Sequence, residues 1–166
     1  MATKENLKEA FAGESQANRM YLAFAKKAVK DAFPQIAKLF RTAAEAETIH
    51  AHAHLRVSGG IGSTVDNVKA GITGEGHEFR DMYPDFVATA KAEGNKAAEI
   101  SFKNAMAVEE IHHGLYTQAL VALEAGKDMP AKPIYVCSVC GNTVEGETPD
   151  RCPICGAGKD KFFEIV

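Results

Sequence analysis

Apolar side chains at Leu7, Phe11, Tyr21, Phe24 and Ala28 fall on one face of a helix, in a stretch rich in Ala, Glu, Lys and Leu. That pattern predicts an amphipathic helix from residue 3 to about 31. Pro34 suits the first turn of a second helix, where a missing N–H costs no hydrogen bond, and Ile36, Leu39, Phe40 and Ala43 carry its stripe toward Val57. The run SGGIGS ends it. STVDN offers hydroxyl and carboxylate caps for a third helix reaching about Lys91, AEGNK closes that helix with a glycine, and a fourth covers roughly 96 to 125. Tyr83-Pro84 breaks the third pattern, because proline inside a helix removes a hydrogen bond, so a kink is expected one turn after Glu78. Beyond EAGKDMPAKP the helical period stops and Val, Tyr, Phe, Cys and Gly take over. The predicted organisation is a four-helix domain over 1–126, a linker over 127–134, and a small β domain built on knuckles over 135–166.

Composition narrows the classes. With 166 residues and 46% hydrophobic content, the chain can bury one core plus an appendage. A formal net charge of -3 provides no basic face for nucleic acid, and no window reaches the roughly 18 apolar residues of a membrane span. The start MATKENLKEAFAGES lacks a basic segment followed by an apolar run, so a cytoplasmic protein is expected. In that compartment, close pairs of cysteines point to metal.

Several acids sit where the helical pattern asks for apolar residues. With about 100° between successive residues, Glu14 falls in the stripe of Leu7 and Phe11, and Glu47 lies within about 20° of Ile36, with His50 beside it. Glu45 and His52 point nearly opposite. Glu75 and Glu78 share a side with Phe79, Met82 and Phe86, and Glu109 lies within about 20° of Phe102. Unpaired buried carboxylates protonate, and several together repel, so something positive must stand among them. No Lys or Arg occupies those inner positions. A metal cluster is the simplest answer, since two divalent ions neutralise about four carboxylates. E-x-x-H occurs twice, as Glu47/His50 and Glu109/His112, and i,i+3 spacing places both side chains on one helical face. His113 is better placed than His112 by angle from Phe102, while the spacing to Glu109 favours His112. His54 faces inward a turn from His50 and suits a hydrogen-bonding role. Carboxylates mixed with imidazole favour iron or manganese. Tyr21 and Tyr83 read either as core residues or as proton donors to metal-bound carboxylates.

The four cysteines form CSVCG and CPICG, a C-x2-C-x11-C-x2-C pattern with Gly141 and Gly156 after each pair. Cys137, Cys140, Cys152 and Cys155 make a tetrahedral thiolate site; such a site suits zinc or iron, and the spacing in isolation leans slightly toward a structural zinc ribbon.

Over its whole length the chain resembles the rubrerythrins, through AFAGESQANRMY, AEAETIHA, EGHEFRDMYPDF, AVEEIHHGLY and CSVCG…CPICG in that order. The resemblance implies a mainly α fold, a ferritin-like di-iron four-helix bundle followed by a rubredoxin-like domain. It implies Glu14 as a terminal ligand of one iron, Glu47 and Glu109 as bridges, and Glu75 with His112 on the other iron. Glu78 and His50 are then the exchanging pair, Tyr21 and Tyr83 lie near the cluster, and the four cysteines hold one iron that relays electrons. The implied activity is reduction of hydrogen peroxide to water in oxidative-stress defence, indirectly dependent on NAD(P)H through a redox protein, a rubredoxin or a flavoprotein reductase. The rival is a ferritin-like iron-oxidising store with a structural zinc ribbon.

One feature departs from a simple bundle. If the second and third helices pass the cluster in parallel, the link between them must climb roughly 30 Å and step sideways about 10 Å, whereas eight or nine extended residues reach about 30 Å. A homodimer that exchanges its first two helices against its last two is therefore expected.

Overall fold

The computed structural model describes residues 2–166. By its internal contacts the chain divides into two units, which meet at Gly62 and Ser63. The first is a helical hairpin of α1 (Ala2–Lys30) and α2 (Pro34–Val57). Its tight turn places Ala32 in the left-handed region (φ 62°), and Phe33 N–H donates to the Ala28 carbonyl at 2.8 Å, closing the end of α1. Small residues form the seam: Ala25, Ala28, Ala37, Ala44 and Ala51 are buried, which lets the two helices approach closely. Asn18 fastens the seam by donating from Nδ2 to the Ala44 carbonyl (2.7 Å) and to Thr48 Oγ1 (2.8 Å). Ile36 and Leu39, expected in the buried stripe, remain exposed instead. Two helices bury only the seam between them, so the wider apolar face stays open.

The second unit starts with a capping box, in which Ser63 Oγ accepts from Asp66 N–H and the Asp66 carboxylate accepts from Ser63 N–H. α3 runs Thr64–His77, followed by a π-helical turn at Glu78–Met82, α4 (Tyr83–Ala92) and α5 (Lys96–Glu124), whose start is capped by Asn95 Oδ1. The sequence predicts a kink at Pro84; the structure has a π turn just before it. Proline has no N–H to donate, and Tyr83 N–H reaches back five residues to the Glu78 carbonyl, so the rod continues through a wider turn. The C-terminal sheet has the order β2-β1-β3, with β1 (Ile134–Cys137) antiparallel to both β2 (Thr143–Glu145) and β3 (Phe162–Glu164). Four helical rods followed by a three-stranded antiparallel sheet is the predicted fold class. Among the described residues no helix is long and apolar enough to cross a membrane.

The two units carry one motif twice. In the first, Tyr21 and Phe24 follow Glu14 by seven and ten residues, and Phe40 precedes Glu47 by seven. In the second, Phe102 again precedes Glu109 by seven, but Tyr83 and Phe86 follow Glu75 by eight and eleven. The extra residue falls in the π turn, which is what a one-residue insertion into an α-helix produces. Packing repeats as well: Tyr21, Phe24 and Phe40 form a ring cluster with centroids 5.5 to 6.4 Å apart, and Tyr83, Phe86 and Phe102 form another at 5.4 to 6.3 Å.

Glu99 on α5 is 5% exposed and accepts from Lys103 Nζ (2.7 Å) and Lys96 Nζ (2.9 Å). These hydrogen bonds, Lys103 first, hold its carboxyl at about 2, below the ordinary 4.5. A depressed carboxyl stabilises the fold fully above its unfolded value and loses that contribution as pH falls through the folded one. Urea unfolding of Glu99→Gln should therefore show a stability deficit against wild type at pH 6 that closes between about pH 4.5 and pH 2.

Candidate metal centres

Each helical unit gathers two glutamates and a histidine. In the first, Glu14, Glu47 and His50 offer ligand atoms all within 4.8 Å of one another. His50 Nδ1 lies 2.9 Å from Glu47 Oε2 and 3.7 Å from Glu14 Oε1. The second gathers Glu75, Glu109 and His112, with His112 Nδ1 2.8 Å from Glu109 Oε2 and 3.8 Å from Glu75 Oε2. An ion about 2.1 Å from each donor separates those donors by about 3 to 3.5 Å, so both groups have the dimensions and chemistry of a metal half-site. Helix geometry explains the pairing: i,i+3 spacing stacks each histidine over its glutamate, and the neighbouring helix supplies the second carboxylate. Of the adjacent histidines, His112 is the one grouped with Glu75 and Glu109. His113 instead packs edge-on against Phe79 (5.3 Å) and lies 3.4 Å from Arg80 Nη2.

Electrostatics mark the second group as strained without a cation. Burial, then the neighbouring Glu109 carboxylate, push the Glu75 carboxyl up, partly offset by His112. Glu78 stands on the π turn, outside the triad. Burial first, and then the charges of Glu78, Glu109 and Glu75, raise the Tyr83 phenol, which keeps its proton. Tyr21 occupies the corresponding place in the first ring cluster. His54 is half-buried, whereas His52, Glu45 and Glu110 are exposed.

The four sulfurs form a third site. Cys137 Sγ lies 3.8 Å from Cys155 Sγ and Cys140 Sγ lies 3.6 Å from Cys152 Sγ, and all four cysteines are free thiols. A tetrahedral ion about 2.3 Å from each sulfur requires sulfurs about 3.8 Å apart, so the cage fits. Gly141 (φ 84°) and Gly156 (φ 75°) take the left-handed turns that aim backbone N–H groups at sulfur. Burial opposes the Cys152 thiolate, but N–H groups of Cys155 and Ile154 and the neighbouring thiols outweigh it and bring Cys152 down to about 7. Asn142, 1% exposed, adds a side-chain N–H 3.6 Å from Cys152 Sγ. Nothing in the sequence pattern singles out Asn142; its role follows only from its burial beside the knuckle.

Residues 5–120 match the sequence profile of the rubrerythrins, and residues 135–163 match that of the rubrerythrin rubredoxin-like domain. The chain belongs to the rubrerythrin family. It is 37% identical to rubrerythrin-2 of Clostridium acetobutylicum, covering 96% of this chain and 95% of that protein. It is 36% identical to nigerythrin of Nitratidesulfovibrio vulgaris, covering 97% and 85%. Among solved structures it resembles partially reduced nigerythrin with a TM-score of 0.59 at 35% identity, over 98% of this chain and 86% of that one, and fully reduced, all-ferrous nigerythrin with the same score at 34%. The Glu/Glu/His groups are thus the donors of a ferritin-like di-iron site, and the four cysteines those of a rubredoxin-like site.

Chain purified with full iron should hold about three iron atoms. Cys152→Ser should lower the content to about two and abolish the red thiolate-to-iron absorption, measured by metal analysis beside a visible spectrum.

Proposed function

We propose that this rubrerythrin-family protein is a peroxidase that reduces hydrogen peroxide to water, with electrons relayed through its four-cysteine iron from a separate redox protein. The observation that carries the reading is the duplicated Glu/Glu/His group, two hard-donor half-sites of the same ligand types, one for each of two irons. When bound, two ferrous ions would supply one electron each, enough with two protons to convert hydrogen peroxide to two waters.

The residues divide the remaining work. Glu14, Glu47, Glu75, Glu109 and His112 would hold the two irons, with Glu47 and Glu109 serving both. Glu78 and His50 would be the exchangeable donors, the carboxylate suiting the oxidised metal and the imidazole the reduced one. Two features suit groups that must come and go: Glu78 sits on the π turn, and the His50 side chain is 54% exposed with only Nδ1 engaged among the described residues. Tyr83, a neutral phenol near the carboxylates of Glu78, Glu109 and Glu75, and Tyr21 would serve as proton donors.

The connection between the units favours a dimer that exchanges helices. From Val57 at the end of α2 to Thr64 at the start of α3 there are seven Cα steps, at most about 25 Å. Glu47 lies ten residues before that end and Glu75 eleven after that start, so parallel passage past one cluster needs about 30 Å of axial return alone. The open apolar faces are consistent with this, since Phe24, Ile36 and Leu39 on the hairpin are exposed. In this reading α1 and α2 of one chain complete a bundle with α3 to α5 of a second copy.

Two experiments test these statements. Stopped-flow mixing of the reduced protein with hydrogen peroxide should show fast reoxidation, slowed about 100-fold or more in Glu47→Ala and Glu78→Ala; slow oxidation by peroxide with fast oxidation by oxygen would indicate an iron store instead. For the exchanged dimer, Glu47→Ala and Glu109→Ala chains should each be nearly inactive alone. Refolded together they should recover about a quarter of wild-type activity, because half the dimers are mixed and each mixed dimer holds one intact site of two. No recovery would mean that each site is built within one chain.

A further inference from the structure

His112 is held at both ring nitrogens, and the second partner comes from the C-terminal sheet. Nδ1 faces Glu109 and Glu75, while Nε2 lies 2.9 Å from Thr143 Oγ1, at the first residue of β2. The Thr143 hydroxyl in turn donates to the Gly141 carbonyl at 3.2 Å, one residue beyond Cys140. With its own proton committed to Gly141, the Thr143 oxygen is left as an acceptor. Its partner must then be an Nε2–H, which leaves Nδ1 unprotonated on the side of the carboxylates. His112 and Thr143 also line a cavity of about 460 Å³ with mostly apolar walls, including Val68, Leu115, Val136 and Ile165. Glu145 also lines it but is paired with Lys132 Nζ at 3.6 Å. His50, by contrast, has no second anchor of this kind among the described residues.

We propose that Thr143 is a positioning residue for the metal centre: its hydroxyl oxygen accepts the Nε2–H of His112 and so fixes the tautomer and ring angle that present Nδ1 to iron. This rests on the reading of His112 as a metal ligand. Thr143 sits beside the cysteine knuckle, so the C-terminal domain finishes a site whose ligands are all helical. The same contact separates a fixed histidine, His112, from one free to exchange, His50.

The test uses full-length protein and the variants Thr143→Val and Thr143→Ser. In zinc-loaded protein, nitrogen-15 NMR of the histidine rings should show one metal-bound ring with a slowly exchanging Nε2–H. Thr143→Val should lose that protection and bind cobalt(II) at the Glu/His site about 10-fold more weakly, with the four-thiolate cobalt absorption unchanged. Thr143→Ser, which keeps the hydroxyl, should stay close to wild type in both. If Thr143→Val does not fold, Thr143→Ala carries the same expectation. Wild-type behaviour in the valine variant would overturn the proposal, as would equal losses in valine and serine. A wild-type protein with no metal-bound His112 ring would overturn the ligand assignment itself, a separate outcome from the loss of Thr143's role.

Discussion

Two carboxylates brought against one imidazole, twice over, set the terms for the whole helical region. Among the described residues no Lys or Arg pairs with Glu14, Glu47, Glu75 or Glu109. The chain itself provides the comparison. Glu99 is more buried than any of them and remains easily ionised, because two lysines donate to it. Burial, and after it the Glu109 carboxylate, move the Glu75 carboxyl upward. Two lysines offset burial at Glu99, whereas a second carboxylate adds to it at Glu75, so a cation bound there would stabilise the second arrangement.

Duplication explains why there are two such places, and a single residue explains why they differ. Glu14–Tyr21–Phe24 with Phe40–Glu47–His50 reappears as Glu75–Tyr83–Phe86 with Phe102–Glu109–His112. The inserted position becomes the π turn, and Glu78, at its start, has Ala17 as its counterpart three residues beyond Glu14. An extra carboxylate and a locally widened helix therefore belong to one unit only. The other asymmetry is the Thr143 contact, which the C-terminal sheet gives to His112. A pair of irons bound by these groups would sit in inequivalent surroundings.

Helix limits were legible because their signals are local: Pro34 in the first turn of α2, Ser63 with Asp66 before α3, and Gly94 after α4 each act within a few residues. The Glu/His pairs and the cysteine cage were legible from spacing for the same reason. Other features depend on tertiary partners. Ile36 and Leu39 carry a helical stripe that the hairpin seam does not cover, and Glu99 needs two lysines on its own helix to be buried. The choice of His112 over His113 needed the position of Glu75 on another helix. The π turn did leave a trace, the eight-residue step from Glu75 to Tyr83 against seven from Glu14 to Tyr21, visible once the repeat is aligned.

Calorimetry of the metal-free and iron(II)-loaded chain, for wild type and Glu75→Gln, tests the electrostatic claim most directly. The account predicts that iron(II) raises the wild-type unfolding midpoint by more than about 5 °C. It also predicts that Glu75→Gln is no less stable than wild type without metal and gains far less from iron. A wild-type midpoint indifferent to iron(II), together with a metal-free Glu75→Gln protein less stable than wild type, would contradict it.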